Sequence, residues 1–432
     1  MASPEIVIYG DTYMVRWPDY LVGMTVDSLK DSAWGVEGLV MVHLLQEEQR
    51  VIWGPVKVNL TKTADIVGLV KTLRDICDLG GGDWNGLIAQ GFASIVTRWR
   101  DGAETVSMAD VPEPDAPRYQ ISDFLLDQQT TLLAADGNTG KSYFALAVAL
   151  SCVTGNPLLG GRLTPIRTCP VLYVDWETDQ HIQSERTHRI CRGMGLMAVP
   201  QDLHYMRAFR SIADMIRPIK RKAAEIEAGL VIIDSIGPAC GAELEKSDVA
   251  LRAMNAVNEL YPATRLVIAH VSKASRDVKA SDRTAFGSIF FQNVPRSVWA
   301  MQRTQMDDAD EVDCALMHTK CNIGKRFSPI AYRMCFHDAE PSTVEFQAAR
   351  IEDNAELVDH ARLEIRIRVL LRDEAHPLSA PEIAKQLETS GSSIRGTLKR
   401  MLSAGQVVKF AAGREVSWAL ASHRDEDEHS WE

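Results

Sequence analysis

None of the eight cysteines in this 432-residue chain stands in a C-x-x-C pair. That spacing is a common mark of a structural zinc site, so such a site is not expected. Cys77, Cys152, Cys169, Cys191, Cys240, Cys314, Cys321 and Cys335 are scattered through apolar segments, the pattern of reduced thiols in a cytosolic protein. The opening MASPEIVIYG lacks a basic flank followed by an apolar run, so no secretory signal is expected. No apolar run approaches the ~20 residues that span a bilayer. Positive charge is also in deficit: the formal net charge is −11. That balance argues against a surface coated by nucleic acid throughout, while leaving room for a local basic patch. The expectation is a cytoplasmic protein with no membrane partner.

With 46% apolar and 24% charged residues, the chain has the composition of a globular protein, long enough for two or three domains. Residues 1–108 mix strand-like runs (EIVIYG, YMVRW, VMVHLLQ, RVIWGPVKV) with two amphipathic helical runs, ADIVGLVKTLRDICDL and WNGLIAQGFASIVTRWR. They predict a small α+β domain whose role the sequence does not reveal. ADVPEPDAPR, residues 109–118, reads as a stiff solvated linker. From 119 to 352 the pattern becomes α/β. Near-continuous apolar runs (TTLLAA, PVLYVDW, LVIIDS, RLVIAHV) alternate with helical segments, as in a parallel sheet covered on both faces. SVWAMQR, DCALMHT, IAYRMCF and TVEFQAA follow without helices between them, which predicts antiparallel hairpins at one side of that sheet.

Within the α/β region, TTLLAADGNTGKS reads as a strand, a loop and the start of a helix. Its GNTGKS carries the chemistry of a phosphate-binding loop. Backbone N–H groups of Gly137, Asn138, Thr139, Gly140, Lys141, Ser142 and Tyr143 can cradle phosphates. The Lys141 ammonium can reach the β- and γ-phosphates, and the Ser142 hydroxyl can bind Mg²⁺. The pattern G-x-x-x-x-G-K-[ST] wants a first glycine where this chain has Ala135. If that position needs positive φ, alanine is strained by ~1 kcal/mol or so.

Two acids end apolar strands further on. Asp234 in LVIIDS is placed to hold a magnesium shell. Glu177 in VLYVDWETD is placed to orient and deprotonate an attacking water, with Asp175 two residues earlier on the same side of a regular strand. Either acid alone reads equally as a strand-end cap or a solvated loop residue. His270, ending RLVIAH, can contact a γ-phosphate, or be a core histidine with its hydrogen bonds satisfied. Lys273 beyond it reads as surface.

The order GNTGKS, LYVDWE, LVIIDS, IAHVSK resembles the RecA-like P-loop ATPases, in the branch of the plasmid RepA hexameric helicases and related phage and prophage ATPases. The resemblance covers about 119–350. It implies an ATPase using ATP and Mg²⁺, with Glu177, Lys141 and His270 catalytic and Ser142 and Asp234 on the metal. It also matches AFGSIFFQNVPRSVW to the family's Gly-Ser helix and following arginine, here Gly287, Ser288 and Arg296. A homo-oligomeric ring of the hexamer type, DNA and replication or recombination proteins are the implied partners. Relatives often carry K-x-R on a hairpin that reaches the neighbouring subunit. Here HTKCNIGKR has Lys320 but Asn322, so the trans-acting candidates are Lys320, Lys325 and Arg326. Helicase is the first function expected. A recombination or loading ATPase that does not unwind, or a DNA-binding regulator whose oligomerisation ATP controls, are the rivals.

After the polar stretch EDNAELVD, residues 359–421 read helix, helix, turn, helix and two strands around AAGRE, the order of a winged helix. Arg395, Lys399, Arg400, Lys409 and Arg414 make it locally basic, with Glu415 the one acid between 391 and 415. Arg395 and Lys399, four apart, share a helix face, and Lys409 and Arg414 flank the wing tip where a phosphate backbone would pass. No aromatic residue interleaves Arg395, Lys399 and Arg400, so that helix does not point to single-strand stacking, although Phe410 follows Lys409. A protein-contact role for the same surface stays open. The acidic tail 422–432 reads as disordered, an aid to solubility or a competitor for a basic surface.

Overall fold

The computed structural model describes residues 4–9, 12–45, 50–79, 82–102, 105–113, 118–271, 288–304, 309–374, 376–412 and 415–421. Lys273, Gly287, Arg414 and the tail 422–432 lie outside them. The chain divides into two units, Met1–Ala116 and Pro117–Glu432.

In the first unit, β1 (Glu5–Tyr9), β2 (Thr12–Trp17), β3 (Val22–Ser32), β4 (Gly35–Leu44) and β5 (Val51–Asn59) form an antiparallel sheet in sequence order. Alternate residues such as Val15, Trp17, Met24, Val26, Val40 and Val42 point to one face. There they pack on Leu69 and Leu73 of α1 (Thr63–Ile76) and on Leu87, Phe92 and Ile95 of α2 (Trp84–Asp101). Strand β3 was not legible in the sequence. A bulge between Asp27 and Lys30, with Ser28 at φ 56°, breaks its alternation.

The second unit opens with a two-stranded ribbon, β6 (Tyr119–Ile121) and β7 (Leu125–Leu126), then builds the main sheet. Its elements are β8 (Thr130–Ala135), α3 (Lys141–Thr154), β9 (Val171–Asp175), α4 (Gln180–Gly193), β10 (Leu203–Arg207), α5 (Ile212–Glu225) and β11 (Leu230–Asp234). They continue with α6 (Ile236–Cys240), α7 (Ser247–Asn258), β12 (Thr264–His270), α8 (Phe290–Asn293), β13 (Ser297–Thr304), β14 (Glu311–Cys321), β15 (Ile330–His337) and β16 (Thr343–Ala349). The nine strands run β10-β9-β11-β12-β8-β13-β14-β15-β16. Strands β10 through β13 in that order are parallel, and β14, β15 and β16 extend the sheet antiparallel.

The period of two divides each central strand between two cores. Leu133, Tyr173 and Ile232 face α3 and α4, while Leu132, Val174 and Ile233 face α5 and α7. Parallel strands make all the loops that leave their C-terminal ends converge on one edge of the sheet, and ligands of open α/β sheets bind there.

The stretch EDNAELVD is not a free connector. Its residues Ala355–Asp359 form α9, whose Leu357 packs with Ala300, Ala315, Met317 and Ala331 of the sheet. Asn354 caps this helix and donates to Thr304 Oγ1 and Asp313 Oδ2 at 2.9 and 3.0 Å. Beyond it come α10 (Leu363–Asp373), β17 (Leu378–Ser379), α11 (Ala380–Gln386), α12 (Gly391–Ser403), β18 (Val407–Ala412) and β19 (Glu415–Leu420). The three short strands pair in the order β17-β19-β18 and share a core of Ile367, Leu371, Ile383, Ile394, Leu398 and Trp418 with the helices. No described helix is long and apolar enough to cross a membrane.

Candidate functional site

Ala135 resolves the question its sequence position raised. It is the last residue of β8, fully buried and paired with His270, and it is not among the residues with positive φ. The strained positions of the loop are instead Asn138 at φ 59° and Gly140 at φ 85°. Gly140 is favoured by its positive φ, and a Cβ there would also meet the flexible end of Met334, 2.5 Å from Cε, which would have to shift. Gly137 has open space around it and no positive φ.

The loop delivers Gly140 to the start of α3, whose first turn has no side-chain cap. Uncapped N–H groups and the positive end of the helix dipole make this a seat for an anion. Lys141 is buried, and its ammonium donates to the carbonyls of Ala135 and Asp136 at 3.2 and 2.5 Å. Burial lowers its pKa to about 8, against the pull of Asp234, Glu177 and Asp136. Thr139 braces the loop through Oγ1 to the Asp136 carbonyl at 2.8 Å.

Asp234 ends β11, nearly fully buried, and accepts a 2.5 Å hydrogen bond from Tyr173 Oη, with the Ser142 hydroxyl close enough to favour its charged form. Burial pushes its pKa up to about 6. A buried carboxylate beside the phosphate-loop hydroxyl is a donor set suited to Mg²⁺, a hard cation that takes oxygen ligands.

Glu177 lies two residues past the end of β9 rather than on the strand. Its Oε1 accepts from Ser235 Oγ and from His270 Nε2, the latter at 3.3 Å. The His270 bond, followed by those of Ser235 and the Lys141 charge, lowers its pKa to about 2 against the opposing effect of burial. The sequence expectation for Asp175 is corrected here. It does not share Glu177's side of the site but lies beneath it, fully buried. It accepts from the amides of Glu177 and Thr178 at 2.7 and 3.0 Å, from Thr178 Oγ1 at 2.5 Å and from Gln183 Nε2 at 2.8 Å. The turn exists because this one carboxylate satisfies its donors.

Three side chains at the loop escaped the sequence reading. Arg303, near the end of β13, donates to the Asn138 carbonyl. The Arg186 guanidinium sits 5.3 Å over the Tyr143 ring, and Phe336 meets the same ring edge-on at 5.5 Å. Only their distance in sequence hid them, because β13, α4 and β15 come to the loop through the sheet order.

Of the trans-acting candidates, Lys320 is engaged within its own chain. Its ammonium donates to the carbonyls of Gln292, Asn293 and Pro295 at 2.7, 2.8 and 2.8 Å, which takes up its three N–H donors inside its own chain. Lys325 and Arg326 are exposed in the loop between β14 and β15. Because β14 runs antiparallel to β13, with Cys321 beside Ser297, that loop lies at the end of the sheet opposite the phosphate loop. Arg296 lies at that far end too, its amide on the Thr130 carbonyl at the start of β8. Arg296 is exposed just before β13, and Ser288 is buried with its amide on the Leu244 carbonyl. In the C-terminal module, Arg395, Lys399 and Arg400 of α12 and Lys409 of β18 are all exposed.

A family model described as an AAA domain matches residues 100–276, the stretch that carries the phosphate loop, Glu177, Asp234 and His270. Two solved structures are similar over part of the chain. A KaiC-like protein of the archaeon Pyrococcus horikoshii OT3 has 16% identity and a TM-score of 0.36, covering 52% of this chain and 93% of its own. The flagellar accessory protein FlaH of Methanocaldococcus jannaschii has 10% identity and a TM-score of 0.34, covering 52% and 92%. No curated protein matches the sequence.

Proposed function

We propose that the protein hydrolyses Mg-ATP to drive work on DNA, and that it is a replicative helicase of the phage and plasmid type. The observation that carries the ATPase reading is the convergence of Lys141, Ser142, Asp234, Glu177 and His270 on one sheet edge. Lys141 now holds its own loop's carbonyls. A triphosphate would draw that ammonium to the β- and γ-oxygens, while the bare amides of the loop and of α3 take the phosphates. Ser142 and Asp234 would hold Mg²⁺, which neutralises charge developing on the phosphates. Tyr143, flanked by Arg186 and Phe336, offers a flat cationic surface for a purine ring beside that phosphate seat.

Glu177 is the group placed to orient and deprotonate water. Tied to Ser235 and His270 it is a weak base. Arrival of a γ-phosphate near His270 gives the imidazole a better acceptor and releases Glu177 to the water, so occupancy and activation are coupled. The exposed Lys325 and Arg326, at the sheet end far from their own phosphate loop, suit a second copy's site. They support a head-to-tail homo-oligomer in which a neighbour completes the charge.

The DNA reading rests on the C-terminal module, taken as a winged helix. Its α12 exposes Arg395, Lys399 and Arg400, and Ser390 caps its N-terminus. The core places no requirement on unwinding, so duplex unwinding measured with DNA-stimulated hydrolysis is the deciding experiment. Unwinding that Glu177→Gln abolishes while nucleotide binding persists is the expected result. Stimulated hydrolysis without unwinding would favour a loading or recombination ATPase. Oligomerisation on ATP without stimulated turnover would favour the regulator.

A further inference from the structure

The segment Arg207–Ala208–Phe209–Arg210, which leaves the C-terminal end of β10, alternates bases with an aromatic ring. Phe209 is 81% exposed. The Arg207 guanidinium lies 5.4 Å from the centre of that ring, while also donating to the Thr178 carbonyl and standing 3.6 Å from Asp175. The ring is therefore not a loose surface side chain. It is paired with a cation that is itself anchored to a fully buried carboxylate. Arg210 is exposed beside it, and its backbone carbonyl accepts the Trp176 indole N–H at 2.8 Å. The nearest acid on the following helix, Asp214, is engaged by Ser211 Oγ at 2.6 Å.

We infer that Phe209, backed by Arg207 and flanked by Arg210, is a stacking platform for an unpaired base of single-stranded nucleic acid. An exposed aromatic ring recognises any base through its π-face, and a neighbouring guanidinium takes the adjoining phosphate or adds a cation–π contribution. A duplex hides its base faces, so the platform selects single strands. It also lies at the same C-terminal edge of the parallel strands as the phosphate loop. Its two arginines hold both ends of the 176–178 turn that carries Glu177: Arg210 at the Trp176 indole and Arg207 at the Thr178 carbonyl. A strand seated here is one hydrogen bond from the hydrolytic turn. This site is separate from the basic face of α12, where no aromatic interleaves the bases, and it divides the work: α12 for duplex backbone, Phe209 for the opened strand.

The inference rests on the DNA reading above, and its test keeps the two apart. Full-length parent, Phe209→Ala, Phe209→Trp and Arg395→Glu/Lys399→Glu proteins are titrated with fluorescein-labelled oligothymidine and with a labelled duplex, followed by anisotropy. Phe209→Ala should weaken oligothymidine binding roughly ten- to a hundred-fold, the range of one lost base stack, and leave duplex binding unchanged. Phe209→Trp should restore it, with indole fluorescence quenched as the oligonucleotide binds. The α12 variant should show the reverse pattern. Equal oligothymidine affinity in the parent and Phe209→Ala overturns the platform while leaving the DNA reading standing. A parent that binds neither DNA defeats both. If Phe209→Ala loses self-association at unchanged oligothymidine affinity, the ring is a contact between copies of this chain and the inference is wrong.

Discussion

Replacing Lys320 by methionine keeps the aliphatic stem and removes the ammonium. In the structure that ammonium closes the carbonyl end of α8 through Gln292, Asn293 and Pro295, and so ties β14 to the segment that leads into β13. A hydrogen bond to a charged group contributes about 1.5–3 kcal/mol when well shielded. The site is half exposed, so three such bonds together are discounted to about 2 kcal/mol. In a unit of this size 1 kcal/mol moves the midpoint by about 2 °C, so Lys320→Met should lower the melting temperature of the second unit by about 4 °C. Hydrolysis per folded molecule should fall less than about tenfold, because the lost group acts on its own backbone. A finger reaching a neighbour's γ-phosphate is worth ~10³ to 10⁵ in rate. Differential scanning calorimetry and steady-state ATPase assays on one preparation decide the matter. An unchanged melting temperature with a thousandfold loss of hydrolysis would refute the intrachain role and return Lys320 to the trans site.

Because burial raises Asp234 to about 6, magnesium must displace a proton below that pH. Mg-ATP affinity, measured by calorimetry, should weaken about tenfold per unit of acidification below pH 6 and stay flat above it. The sign for stability is the opposite. The stabilising effect of the raised pKa is complete below the unfolded value and is lost as pH rises through about 6, so at pH 8 Asp234→Asn should melt higher than the parent when nucleotide is absent. Gly140→Ala meets both a positive φ and Met334, and should abolish nucleotide binding. Ala135→Gly should give no gain in affinity and cost about 0.5–1 kcal/mol of stability, and a tenfold tighter nucleotide would show that the first glycine mattered after all. Mixing Lys141→Ala with Lys325→Ala/Arg326→Ala subunits should restore part of the hydrolysis that each lacks; co-assembly without recovery would remove the loop between β14 and β15 as donor.

Much of the site was legible because its chemistry is local in sequence. A strand, GNTGKS and a helix lie within a dozen residues, and Asp234 and His270 each end an unbroken apolar strand. What was hidden depends on tertiary neighbours. Strand β10 reads LHYMR, and all its residues are only half buried at the sheet edge, so no apolar run marks it. Arg303, Arg186 and Phe336 become one site only through the sheet order. Lys320 looked free because nothing in HTKCNIGKR reveals the carbonyls of α8. Asp175 was misread because regular strand geometry was extended past the residue where β9 stops.

That buried aspartate has a consequence for timing. It fixes the backbone at 177 and 178 with bonds that do not involve any ligand, whereas among the described residues the Glu177 carboxylate is held by the replaceable donors Ser235 and His270. If Glu177 is the base, it would reach water by side-chain rotation, on the picosecond to nanosecond scale, with no need for a microsecond loop opening. The amides of Glu177 and Thr178 should exchange slowly with solvent deuterium, and at the same rate in the empty and the nucleotide-loaded protein. On that reading the step that limits turnover would lie elsewhere, in the encounter between copies of the chain or in the departure of products.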